Sequence, residues 1–119
     1  MSKSEILSLI GKIKSAPAVT PEFMDRATVL LRRVFPQMPE PTAGADLVGQ
    51  LLHMIDLSLP GWTIQLTGKA QEPDGHWRCS LLETRGSDEV EVIGLGTGHA
   101  VELALLEALL HVGEQKAVV

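Results

Sequence analysis

Apolar positions recur with a helical period through the first half of the chain and with a strand period through the middle. Ile6, Leu7, Ile10 and Ile13 share one helical face, the recurrence that marks a helix with one buried stripe. Ser2 and Glu5, three apart, fit a capping box ahead of it. Gly11 weakens this helix, and Pro17 ends it because proline disfavours helical geometry in the residue before it. Thr20-Pro21-Glu22 predicts the next start: a hydroxyl cap, a proline at the first turn, and an acid at the positive end of the helix dipole. Phe23, Ala27, Leu30, Leu31 and Val34 then point inward until Pro36. Residues 37–44, with Pro39, Pro41 and Gly44, read as a short extended linker between helices. A third helix over about 45–57 buries Leu47, Leu51, Met54 and Ile55, and Leu59-Pro60-Gly61 turns the chain.

The period then changes to two. Trp62, Ile64 and Leu66 alternate with Thr63, Gln65 and Thr67, the pattern of a half-buried strand. Pro73-Asp74-Gly75 predicts a turn, since proline fixes φ and glycine accepts positive φ. Trp77, Cys79 and Leu81 alternate with Arg78 and Ser80. Residues 85–88 turn again, and Val90 and Val92 alternate with Glu89 and Glu91. Alternating strands joined by short turns predict an antiparallel meander with one wet face.

A last helix is predicted over about 97–112. Val101, Ala104, Leu105, Ala108 and Val112 form the face assigned to the sheet. Leu103, Leu106 and Leu110 fall on the other side, among His99, Glu102 and Glu107, where a surface helix has no use for three leucines. Either the N-terminal helices cover them, or a second subunit does. The fold class is therefore α+β: N-terminal helices, a three-stranded antiparallel meander, and a C-terminal helix packed on one sheet face. Residues 1–119 form one domain, with a helical half (1–57) and a βββα half (61–119), as a chain of this length leads one to expect.

Charge narrows the partners. The net charge of −5 lies entirely in residues 61–119, which hold four basic and nine acidic side chains, whereas residues 1–60 hold six of each. A phosphate backbone requires clustered Lys and Arg, so nucleic acid is not the expected partner. One cysteine, Cys79, allows no internal disulfide and fits a reducing cytoplasm. The polar N-terminus lacks the apolar stretch of a signal peptide, and no run has the roughly 18 apolar residues of a membrane helix.

Few motifs carry chemistry. Gly94-Leu95-Gly96-Thr97-Gly98-His99 lies between the last strand and the last helix. Glycine-rich loops at that junction can cradle phosphate on backbone N–H groups. The dinucleotide fingerprint would need glycine where His99 stands, and a further parallel strand after the helix. The expected reading is a tight turn with Thr97 near the helix cap. The alternative is an anion site formed by Gly96, Thr97, Gly98 and His99. Glu107, His111 and Glu114 share a helical face at metal-ligand spacing, but acids and histidines on an exposed helix side are ordinary, and a solvated face is expected. Cys79 shares the core face with Trp77 and Leu81 and is expected to act as a small hydrophobe and not as a nucleophile. Trp62 and Trp77 are expected in the core. A stacking platform would call for basic neighbours, of which Lys69 and Arg78 are the local ones. Arg26, Arg32 and Arg33 are expected on a solvated face of the second helix.

Asp46-Leu47, Leu51-Leu52, the run Leu59-Pro60-Gly61-Trp62, then Gly75-His76-Trp77-Arg78-Cys79, and the Ala/Leu-rich stretch from Gly98 to Leu110 are similar to small phage and prophage proteins of the phage ABA-sandwich type. The resemblance spans about residues 46–112. It implies a compact helix–sheet–helix domain of phage-derived genes with no established enzymatic role. The sheet-then-helix order is also similar to double-stranded-RNA-binding domains. Those begin the final helix with lysines, where this chain has Thr97-Gly98-His99-Ala100-Val101-Glu102. Together these features predict a non-enzymatic protein-interaction or accessory module. Its partner, another protein or a second copy, would bind at Leu103, Leu106 and Leu110. The alternative is a phosphate-type anion-binding protein using Gly94–His99. No catalytic set, metal site or cofactor is expected.

Overall fold

The computed structural model describes residues 2–40, 46–69, 76–85 and 89–117. Its elements are α1 (Ser2–Lys14), α2 (Pro21–Val34), α3 (Leu47–Ser58), β1 (Thr63–Thr67), β2 (Trp77–Arg85), β3 (Glu89–Gly98) and α4 (Val101–Lys116). The strands form one antiparallel sheet in the order β1-β2-β3. This is the predicted α+β class, with α4 packed against the sheet. The expected turns at Pro73–Gly75 and 86–88, and the linker residues 41–45, lie outside the described residues.

Local chemistry explains the helix starts. The Thr20 hydroxyl accepts from the Phe23 amide at 3.2 Å, with Pro21 at the first helical position. The Asp46 carboxylate accepts from the Gly49 amide at 2.8 Å. Gly61 closes the turn after α3 with φ +83°, a conformation that favours glycine. On α1 the buried stripe is Ile6, Leu9, Ile10 and Ile13. Leu7, expected on that stripe, is solvent-exposed instead.

Helix α4 is the centre of the molecule. The sheet lies on one side, and α1, α2 and α3 pack on the other. Every residue from Leu103 to Leu110 is buried, as a helix that is apolar nearly all round requires. Rows Ile64–Leu81–Gly94 and Leu66–Cys79–Gly96 cross the sheet on the face toward α4. Rows Gln65–Ser80–Leu95 and Thr67–Arg78–Thr97 occupy the open face, which matches the expected wet side. A register shift at Leu81/Leu82 leaves Ile93 as an extra residue on β3, a bulge.

Two expectations fail at the β3–α4 junction. The glycine run was expected as a loop, yet β3 continues through it to Gly98. The helix was expected to begin near Thr97, yet its cap is Ala100, which makes no side-chain capping bond. Close packing is the reason. A Cβ on Gly94 would overlap the Ala108 carbonyl, and one on Gly96 would overlap the Ala104 carbonyl and lie 2.5 Å from the Ala108 nitrogen. A Cβ on Gly98 would sit 2.8 Å from that of Leu103. The alternating glycines form a flat track on which Ala104 and Ala108 rest.

Candidate functional site

The leucines assigned to an interaction face are internal. Leu103 is 3% exposed, and Leu106 and Leu110 are fully buried. Leu106 and Leu110 fall on the same side of α4 as Gly113, whose missing side chain makes room for Leu31, Ile6 and Phe35. The N-terminal helices are therefore the covering, and the interaction face expected there is not available to a partner.

The anion site expected at Gly96, Thr97, Gly98 and His99 is also spent on the fold. Its glycines face α4. The Thr97 amide donates to Glu107 Oε2 at 2.7 Å, so a carboxylate of the chain already holds the place an anion would take. His99 Nε2 lies 2.6 Å from the Pro17 carbonyl oxygen, a contact that requires this nitrogen to carry the proton.

Glu107, expected in solvent, is 3% exposed and lies 3.8 Å from the Lys14 ammonium as well as on the Thr97 amide. A buried charge requires such partners. Glu114 pairs with Lys3 at 3.6 Å. Among the described residues no group of His, Cys, Asp or Glu is placed to hold a metal ion. Cys79 is fully buried, and burial pushes its thiol up to about 11. That disfavours the thiolate a nucleophile needs. Arg26 and Arg33 lie exposed on α2, as expected, and both reach the Glu5 carboxylate, at 3.3 and 3.1 Å, which joins α2 to α1. Arg32 reaches Glu40 and the Met38 carbonyl.

What remains is an open groove of about 520 Å³ at one end of the sheet, lined by Thr67, Gly68, Lys69, His76, Trp77, Arg78 and Thr97. Register explains its composition. Thr67, Arg78 and Thr97 form one cross-strand row on the open face. Lys69, two residues after Thr67, and His76, two residues before Arg78, lie just beyond the strand ends and line the same groove. Lys69 and Arg78 have no carboxylate partner among the described residues, whereas Lys3, Lys14, Arg26, Arg32, Arg33 and Lys116 do. Trp77, half-buried, leans over Gly68: a Cβ there would lie 2.5 Å from its ring. Trp62, also half-buried, packs instead at the other end of β1, with the Lys116 ammonium 5.7 Å from its ring centre.

Thr97 is the one residue that the expected site and the groove share. The sequence offered Lys69 and Arg78 only as neighbours of the tryptophans. Their place in one groove depends on the Thr67–Arg78 pairing, a register that the expected meander did not specify.

No described helix is long and apolar enough to cross a membrane. No protein-family model, curated protein or solved structure matches the chain.

Proposed function

We propose that this chain is a non-catalytic binding module that recognises a single anionic group, a phosphate or a carboxylate, in the groove at the end of the open sheet face. The observation that carries the reading is the pair Lys69 and Arg78: two cations that line one groove and have no carboxylate partner among the described residues, in a chain of net charge −5. Among the described residues most other cations meet a carboxylate, with Lys12 an exception, so two unpaired cations lining one groove favour an external anion. The Thr67 and Thr97 hydroxyls add hydrogen-bonding groups, and Trp77 adds an apolar wall. Arginine recognises phosphate and carboxylate with a planar fork of donors. Two cations suit one anionic group better than a nucleic-acid backbone, which calls for a longer basic track. A reducing cytoplasm and the phage-type kinship of the Pro60-Gly61-Trp62 pattern belong to the same proposal.

The test is a titration of the labelled protein with inorganic phosphate, followed by amide resonances. The expected result is saturable shifts at Thr67, Lys69, Arg78 and Thr97, abolished in Lys69→Ala/Arg78→Ala. Shifts absent at millimolar phosphate, or unchanged in the double variant, would remove the reading.

A further inference from the structure

Among the described residues, strand β1 presents an unguarded edge. The sheet order makes β1 and β3 its two edges, and exposed edges are normally protected by charge, proline, a bulge or a cover. β3 has such protection in the bulge at Ile93. Among the described residues β1 has none of these. Its five residues, Thr63-Ile64-Gln65-Leu66-Thr67, carry no charge and no proline. All are exposed except half-buried Ile64. Among the described residues β1 pairs with β2 alone.

The residue types of β1 read the same in both directions about Gln65. An antiparallel two-fold through that residue sets Thr63 against Thr67, Ile64 against Leu66, and Gln65 against its own copy. Residue types that favour strands thus meet their like on each face, which is the condition for a self-complementary interface. Charge agrees: the chain is at −5, yet this axis brings no like-charged strand residues together. Leu66, 39% exposed and on the α4 side of the sheet, would be covered by the second copy's Ile64. The same register places the second copy's Trp62 opposite Gly68, the residue beneath the Trp77 ring.

We infer that β1 is a homodimer interface, in which two copies pair antiparallel about Gln65 to make one continuous six-stranded sheet. The occupant is a second copy of this chain. Its Gly61 and Trp62 come to lie beside Thr67, Gly68 and Lys69, closing the outer side of the groove.

Sedimentation equilibrium over a concentration series, with tryptophan emission on dilution, tests this. The expected result is a monomer–dimer equilibrium with a shift in emission as the dimer separates. Gln65→Lys sets two like charges opposite one another at the axis and is expected to weaken association by roughly tenfold or more. Gln65 is exposed, so circular dichroism of this variant should match the parent. Gln65→Cys is expected to cross-link under mild oxidation, since directly opposed strand residues fall within disulfide reach. Leu95→Cys, on the open face of the same sheet, is expected to stay uncross-linked. A monomer at every concentration, or a dimer that Gln65→Lys leaves intact, would overturn the inference.

Discussion

The Thr97 amide donates to the Glu107 carboxylate at 2.7 Å, tying the end of β3 to the middle of α4. These residues are ten apart, and the bond spans the whole turn from strand to helix. Lys14 of α1 meets the same carboxylate at 3.8 Å, so Glu107 links three elements. Glu107→Ala is expected to destabilise by about 2 kcal/mol, the range for losing a hydrogen bond to a charged group. Glu107→Gln keeps an acceptor for Thr97 and should lose less. Urea unfolding of the three proteins checks the order. Equal losses for Ala and Gln would show that the ion pair with Lys14, and not the amide bond, is what matters.

Glycines of the same sequence are expected to respond in opposite ways to alanine. Gly96 lies against the α4 backbone, and a methyl there overlaps the Ala104 carbonyl. Neither backbone segment can give way easily, so Gly96→Ala is expected to cost about 2–3 kcal/mol as overpacking. Gly11 is a solvent-facing position of α1 with nothing within 4 Å of a new Cβ. Gly11→Ala should stabilise by about 0.5–1 kcal/mol through helix propensity and a less flexible unfolded chain. Thermal unfolding of the two variants should move the midpoint in opposite directions.

That contrast marks what the sequence could and could not reveal. Periodicity and caps identified the four helices and three strands of the described residues, because Thr20-Pro21 and the alternation from Trp62 to Thr67 are local signals. The glycine run misled because a strand built to receive a helix at close range has the same composition as a loop. Only the Ala104 and Ala108 backbone, close in space, separates the two. Glu107 misled for a related reason: its burial is set by Thr97 and Lys14, which no helical wheel includes. The groove was illegible because Lys69 and Arg78 meet through strand register and not through spacing.

Leu106 tests the internal role of the leucines. It is fully buried on the helix side facing the N-terminal elements. Leu106→Ala is expected to cost about 2–5 kcal/mol, the range for deleting buried methyl groups and leaving a cavity. Denaturant unfolding measures the loss, and sedimentation at concentrations where the chain stays folded should show its association state unchanged. A stable variant with altered association would return these leucines to a partner surface.

Cys79 gives a pH dependence with a defined sign. Burial raises its thiol from 9.0 to about 11. Below pH 9 both folded and unfolded chains hold the proton, and the group contributes nothing to the pH slope. Between pH 9 and pH 11 the unfolded chain releases it first, so stability falls as pH rises. A two-unit difference corresponds to about 2–3 kcal/mol once the window is crossed. No tyrosine titrates in that window, since the chain has none. Every other titratable group is shared with Cys79→Ala, so the informative quantity is the difference between the two proteins. Cys79→Ala is expected to be less stable than the parent at pH 8, because it leaves a small void. Its deficit should shrink, and then reverse, as pH climbs toward 11. Urea unfolding at a series of alkaline pH values measures the difference. A deficit independent of pH would mean that the thiol ionises as readily in the fold as out of it, which the full burial of Cys79 beside Gly96 under α4 does not permit.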